Sequence, residues 1–195
     1  MNSLVKIILN IIPRSILTRL SFLLKPLIKI YLRGNKYVDP IDGSSFRKFL
    51  PYGYNNVREN ALSPSTFSLE RHRLLWLYLK NETDFFNKDL KVLHFAPEAA
   101  FLEKFKKLKN ISYDTIDLNS PLANIKADIC DLPLDDESYD FILCNHVLEH
   151  IIDDKKAMQE LYRVLKKDGI GIFQVPLNIS NKKTYEDFTI TDPKE

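Results

Sequence analysis

Between Lys91 and Val175 short apolar runs alternate with stretches whose apolar residues recur at helical spacing, and this alternation restricts the fold more than any other feature of the chain. Lys91 to Phe95 reads as a strand and Ala99 to Leu108 as a helix. Tyr113 to Ile116 is a second strand ending in Asp117, and Ile125 to Ile129 a third, followed by Cys130, Asp131, Leu132 and Pro133. A fourth strand, Tyr139 to Cys144, ends in Asn145 and His146. A helix over 152–166 then closes on Lys166-Lys167-Asp168-Gly169, a basic last turn and a glycine stop, before a fifth strand from Ile170 to Val175. Strands alternating with helices build a parallel sheet covered on both faces, whose ligands sit at the carboxyl ends of the strands. Asp117, Asp128, Asp131, Asn145 and His146 all fall at or near such ends.

With 195 residues the chain can bury one domain and carry an appendage. Its two cysteines, Cys130 and Cys144, lie in or beside expected core strands, which argues against a disulfide framework or thiolate metal site and fits a reducing cytoplasm. The net charge of +2 conceals an asymmetry. Residues 1–38 contain seven basic residues and no acid, which leaves the remainder at −5. A net-acidic core beside a strongly apolar basic segment does not suit nucleic acid.

Three segments follow from these patterns: basic amphipathic helices over 1–36, a turn-rich segment with a leading helix over 37–88, and the core over 89–195. In the first, apolar clusters are broken by Pro13, Pro26 and cations, so no uncharged run reaches the roughly 18 residues a spanning helix needs. Short helices with basic residues alone on their polar side suit the anionic inner surface of a membrane. The competing reading packs them onto the domain or a second copy. In the middle segment, Asp39-x-x-Asp42 and Ser63-x-x-Thr66 stand 20 residues apart, close to the spacing of a zinc ribbon's paired knuckles. Hydroxyls are poor zinc ligands, so the expectation is a ribbon-like fold without metal. A helix from Ser68 to Lys80 carries an apolar stripe (Leu69, Leu74, Leu75, Trp76, Leu77, Leu79) expected to pack on the sheet. Its polar cluster holds Arg71 and Arg73, candidates for an anionic substrate.

The stretch ADICDLPLDDESYDFILCNHVLEHIIDDKKAMQELYRVLKKDGIGIFQVP, Asp128 to Pro176, resembles class I S-adenosylmethionine-dependent methyltransferases of the small-molecule type. The resemblance implies a Rossmann-like doubly wound α/β sheet and S-adenosylmethionine as cofactor. It further implies that Asp117, with Leu118 beside it, takes the ribose hydroxyls, that Asp128 and the Ile129 backbone hold the adenine, and that Asn145 and His146 line the cofactor near its methyl group. The first loop, His94-Phe95-Ala96-Pro97-Glu98-Ala99-Ala100, departs from the family's acid and glycine-rich turn. Because alanine does not freely adopt positive φ, backbone approach to the cofactor at His94, Phe95, Ala96 and Glu98 is expected to follow another path. Only 20 residues follow Val175, too few for the family's closing helix and hairpin, so the core is expected to be truncated at its C-terminal end.

His146 and His94 are the imidazoles that can serve as general base, although an in-line methyl transfer that discharges a sulfonium can proceed by alignment alone. His146 and His150, four apart, suggest half of a metal motif, but no third ligand is in view, and His150 is expected to be packed beneath the sheet. A nicotinamide dehydrogenase would need G-x-G-x-x-G where this chain has HFAPEA. These readings point to a cytoplasmic methyltransferase, peripheral at the inner membrane, acting on a small-molecule, lipid-linked or saccharide acceptor. The alternative is a non-catalytic, membrane-associated binding or scaffolding protein of the same fold. The oligomeric state is left open.

Overall fold

The structure is a computed structural model that describes residues 14–53 and 56–177. The chain divides into two compact units, Met1–Thr83 and Asp84–Glu195.

The first unit begins with α1 (Arg14–Tyr31), a single helix that runs through Pro26 and does not break there. An interior proline costs about 3 kcal/mol. Packing offsets it, because Ile28 and the buried Leu32 just beyond the helix join a core of Phe46 and Phe49, with Tyr37 and Leu50 against it. The part of the expected N-terminal helices before residue 14 lies outside the described residues. Two antiparallel pairs follow, β1 (Arg33–Val38) with β2 (Ser45–Phe46), and β3 (Leu50–Tyr52) with β4 (Arg58–Leu62).

The turn after β1 and the turn after β4 meet through Asp39, which is wholly buried. Asp39 Oδ1 accepts the Ile41 N–H at 3.0 Å, and Oδ2 accepts the Thr66 hydroxyl at 2.6 Å. Ser65 Oγ lies 3.3 Å from Asp39 Oδ2 and 3.1 Å from Asp42 Oδ1, one proton serving both, and Ser68 Oγ stands 3.4 Å from Asp39 Oδ2. Hydroxyl-to-carboxylate bonds thus join the two turns that the sequence spacing pairs.

In α2 (Glu70–Asn81) the buried residues are His72, Leu75 and Leu79, while Leu74 and Leu77 of the expected stripe are exposed. His72 Nδ1 accepts the Leu69 N–H at 3.0 Å and so caps the helix start. Arg73 donates to the carbonyls of Ser68 (2.7 Å) and Ala61 (3.0 Å) and lies over the Phe49 ring. It ties this unit together and is not available to hold a substrate anion; Arg71 is exposed.

The second unit is a parallel sheet in the order β6-β5-β7-β8, formed by β5 (Leu90–Phe95), β6 (Ile111–Ile116), β7 (Tyr139–Asn145) and β8 (Leu165–Gln174). The expected third strand is reduced to one parallel bridge, Ile125 to Ile116. Side-chain alternation gives the sheet two apolar faces. Leu93, Phe95, Ile116, Ile142 and Cys144 pack against Ala157, Leu161 and Val164 of α4 (Asp154–Val164). On the opposite face His94, Tyr113 and Phe141 meet an aromatic cluster of Phe85 with Phe101 and Phe105 of α3 (Ala99–Phe105).

Helix α4 ends at Val164, and Gly169 is not its stop. Leu165 already pairs with Tyr139, and Ile170 with Phe141, so Lys166 to Gly169 bulge out of β8. A β-carbon at Gly169 would stand 2.7 Å from Leu165 Cδ1, so a larger residue there would need the Leu165 side chain to shift.

Candidate cofactor site

The sheet's order reverses at β5. Its outgoing connection leads to β6 on one side, while β7 lies on the other. The crevice at the carboxyl ends of β5 and β7 is therefore the topological switch point, where open α/β sheets bind ligands. Both strands end in a left-handed residue, Ala96 at φ 45° and His146 at φ 55°.

Each is held there by the neighbouring strand: Ala96 N–H donates to Ile116 O at 2.9 Å, and His146 N–H to Gln174 O at 2.7 Å. The left-handed conformation costs a non-glycine residue about 1–2 kcal/mol. Ala96 thus does adopt the positive φ that its side chain disfavours, and the loop turns at the strand end as a glycine-rich loop would. Such strain concentrates at functional sites.

Four side chains run across this crevice. Tyr113 and His94 are linked at 2.7 Å between OH and Nδ1. His94 Nε2 lies 3.8 Å from Glu98 Oε2, which accepts the Asn145 Nδ2–H at 3.0 Å. Burial, with the charge of Glu98 adding to it, pushes the Tyr113 hydroxyl well above its ordinary range, so it stays protonated. Asn145 is 3% exposed and, among the described residues, its Oδ1 has no hydrogen-bond partner. A buried carbonyl left unpaired costs about 1–3 kcal/mol, which a donor entering the crevice would recover.

His94 is fully buried among Phe101, Phe105 and Tyr113, so it is not the base that meets an acceptor. Tyr113, its partner, escaped notice in the sequence; the period-2 pattern that puts Tyr113 on one face with Thr115, the partner of His94 in register, was the available signal. Phe95 turns its ring into the α4 face, which leaves only its backbone for the crevice.

Asp117 follows β6, and its Oδ1 accepts the Asn119 and Ser120 N–H groups at 2.8 and 2.6 Å. Among the described residues Oδ2 has no partner. Leu118 beside it is 60% exposed. Asp128 is exposed and caps Cys130 N–H at 2.8 Å, while Ile129 is buried.

His146 is partly exposed, with Nδ1 3.3 Å from Glu149 Oε1. His150 is exposed in a 3-10 turn, Leu148–His150, and is not packed beneath the sheet. The His146–His150 spacing accordingly does not form one face of an α-helix. A hollow bounded by Asp89, Lys91, Lys109 and Ser112 is an open groove at the opposite, amino ends of β5 and β6. That groove lies away from the carboxyl strand ends, where open α/β sheets bind ligands.

Residues 83–173 match the family described as "Methyltransferase domain". Over this segment, a little under half of the chain, the protein is similar to methyltransferase domains. The domain is 33% identical over 67 residues to a demethylmenaquinone methyltransferase of Chlamydia caviae, an alignment covering 34% of this chain and 29% of that protein. It is 47% identical over 38 residues to the uncharacterized methyltransferase YcgJ of Bacillus subtilis, 20% of this chain and 15% of that one. The matched stretch thus spans less than a third of these relatives.

A solved S-adenosylmethionine-dependent methyltransferase from Aquifex aeolicus superposes with a TM-score of 0.40 at 18% identity, over 50% of this chain and 58% of that one. The methyltransferase domain's cofactor is S-adenosylmethionine, and the residues present fit it. The unpaired Asn145 Oδ1 and the Glu98 carboxylate suit the amine of its methionine portion, and the unshared Asp117 oxygen suits a hydroxyl donor.

Proposed function

We propose that the chain catalyses methyl transfer from S-adenosylmethionine to a small-molecule, lipid-linked or saccharide acceptor. The observation that carries this reading is the switch-point crevice inside the matched domain. There two strained strand ends, an unpaired buried amide oxygen and a carboxylate converge. Demethylmenaquinone is the first acceptor to assay, because two of the relatives are demethylmenaquinone methyltransferases.

The cofactor, when bound, supplies a sulfonium methyl group whose transfer discharges the positive sulfur. Glu98 and Asn145 would hold its amino-acid portion, Asp117 its ribose, and Asp128 with Ile129 its adenine. His146 stands beside the crevice with an accessible ring. Its Nδ1 lies 3.3 Å from Glu149 Oε1, which sets a carboxylate beside the ring that would take the acceptor's proton.

Calorimetric titration with S-adenosylmethionine and S-adenosylhomocysteine, with Asp117→Ala as control, tests the cofactor site, and labelled methyl transfer tests the activity. Micromolar binding weakened about tenfold or more in the variant is expected for a lost charged hydrogen bond. Absence of binding by the folded chain would leave the non-catalytic reading.

A further inference from the structure

Helix α1 is apolar on two sides. Ile28 and, beyond it, Leu32 turn inward to Phe46 and Phe49, yet Leu23, Leu24, Leu27, Ile30 and Tyr31 are all exposed, four of them by 64% or more. At 100° per residue these five fall within an arc of about 120° on one side of the helix. Five large apolar side chains in one stripe exceed the scattered exposure of an ordinary surface.

Beside the stripe lies a hollow of about 300 Å³ bounded by Lys29, Ile30, Arg33, Ser44, Ser45 and Phe46. Two cations and two hydroxyl side chains face it, and no acid does. Neither Lys29 nor Arg33 has an acidic partner among the described residues. Arg47 lies over the Tyr31 ring at 4.5 Å, which adds a third cation at the end of the stripe.

We propose that this face docks on an anionic phospholipid surface: the Leu23–Leu27–Ile30–Tyr31 stripe enters the acyl boundary, and the Lys29–Arg33 hollow takes a headgroup phosphate. The apolar stripe alone would accept any apolar partner. The adjoining cationic hollow, in a segment with no acid from residue 1 to 38, selects lipid phosphate. No described helix is long and apolar enough to cross a membrane, so the contact is interfacial. This surface belongs to the first unit and stands apart from the methyl-transfer reading.

The test is co-sedimentation of the full chain with vesicles of phosphatidylcholine alone and of phosphatidylcholine mixed equally with phosphatidylglycerol. Binding to the mixed vesicles that falls with added salt is expected, with little binding to the neutral ones. Leu27→Ser with Ile30→Ser should weaken it about tenfold or more, given what burial of two such side chains contributes. Lys29→Ser with Arg33→Ser should remove the preference for anionic vesicles. Leu74→Ser, an exposed apolar position on α2, should change nothing, and all variants should keep the wild-type melting curve. Equal binding to both vesicle types, displacement by millimolar inorganic phosphate with no vesicle dependence, or no binding by the folded chain would overturn the proposal. So would a dimer in solution that Leu27→Ser with Ile30→Ser dissolves, since the stripe would then be an interface between copies.

Discussion

Asn145 Nδ2 donates to Glu98 Oε2 at 3.0 Å and so ties the end of β7 to the loop after β5, across the point where the sheet order reverses. The bond uses one half of the Asn145 amide and leaves the other, Oδ1, unpaired in a site 3% exposed. Asn145→Asp would set a second carboxylate against Glu98. Like charges at that separation raise the pKa of the pair, so the folded state binds a proton more tightly than the unfolded chain. The variant should lose about 1–3 kcal/mol of stability at neutral pH and regain part of it as pH falls through the raised value. Urea melts at pH 7.5 and 5 measure this. A loss independent of pH would mean that the two groups are not coupled.

Asp39 does for the first unit what a metal does in a zinc ribbon, joining two turns distant in sequence. Asp39→Ala removes the acceptor of the Thr66 hydroxyl and of the Ile41 N–H, and leaves Ser65 to Asp42 and Ser68 to Arg73. Breaking a buried charged network costs about 3 kcal/mol or more, and the melting midpoint should drop accordingly. A chelator should leave the wild-type midpoint unchanged, since carboxylate and hydroxyls satisfy one another directly.

The parallel architecture was legible because β5, β6 and β7 are apolar runs bounded by turns, whereas the spacing of Asp39-x-x-Asp42 and Ser63-x-x-Thr66 suggested a ribbon-like fold without saying which side chains would bond. Other features were decided by contacts that no local pattern encodes. Pro26 reads as a break, yet Ile28 and Leu32, held by Phe46 and Phe49, carry α1 through it. Gly169 reads as a helix stop, but the register of β8 against β7 uses it in a bulge. The strand at Ile125 shrank to a bridge, where Asn124 side-chain bonds to Thr115 replace ladder bonds. Within the site, the residue types at the strand ends could be read, whereas the burial of His94 depended on which face of β5 meets α3.

Arg163 clamps the loop before β7. It donates to Glu160, Asp136 and the carbonyls of Leu132 and Leu134, while Glu160 also accepts the Leu132 N–H at 2.8 Å. The hydrogen bond from Arg163, ahead of the opposing effect of burial, lowers the Glu160 pKa to about 2. A depressed folded value means that the stabilisation is complete above the unfolded glutamate's pKa near 4.5 and is lost as pH falls toward 2. Glu160→Gln should therefore cost on the order of 1–2 kcal/mol at pH 7 and nothing near pH 2. Its stability profile should be flatter than wild type between those limits, as chemical denaturation across pH would show.

Ala96 offers the most direct control over the strained strand end. Its φ of 45° is one that glycine adopts freely, and the Ala96 N–H bond to Ile116 O holds it there. Ala96→Gly removes the clash of the β-carbon with its own carbonyl, worth about 1 kcal/mol, but adds backbone freedom to the unfolded chain. The two effects nearly cancel in the melting midpoint. Ala96→Val has no such compensation: β-branching makes the left-handed region worse, and the midpoint should fall by the equivalent of about 1–2 kcal/mol. If the turn presents backbone to the cofactor's amino-acid portion, Ala96→Gly should retain S-adenosylhomocysteine binding while Ala96→Val weakens it by more than its stability loss explains. Titrating both variants with S-adenosylhomocysteine and with 5′-methylthioadenosine, which lacks the amino-acid portion, separates the cases. A loss common to both ligands would reflect general damage to the crevice, whereas a loss confined to S-adenosylhomocysteine would locate the amino-acid portion at the end of β5.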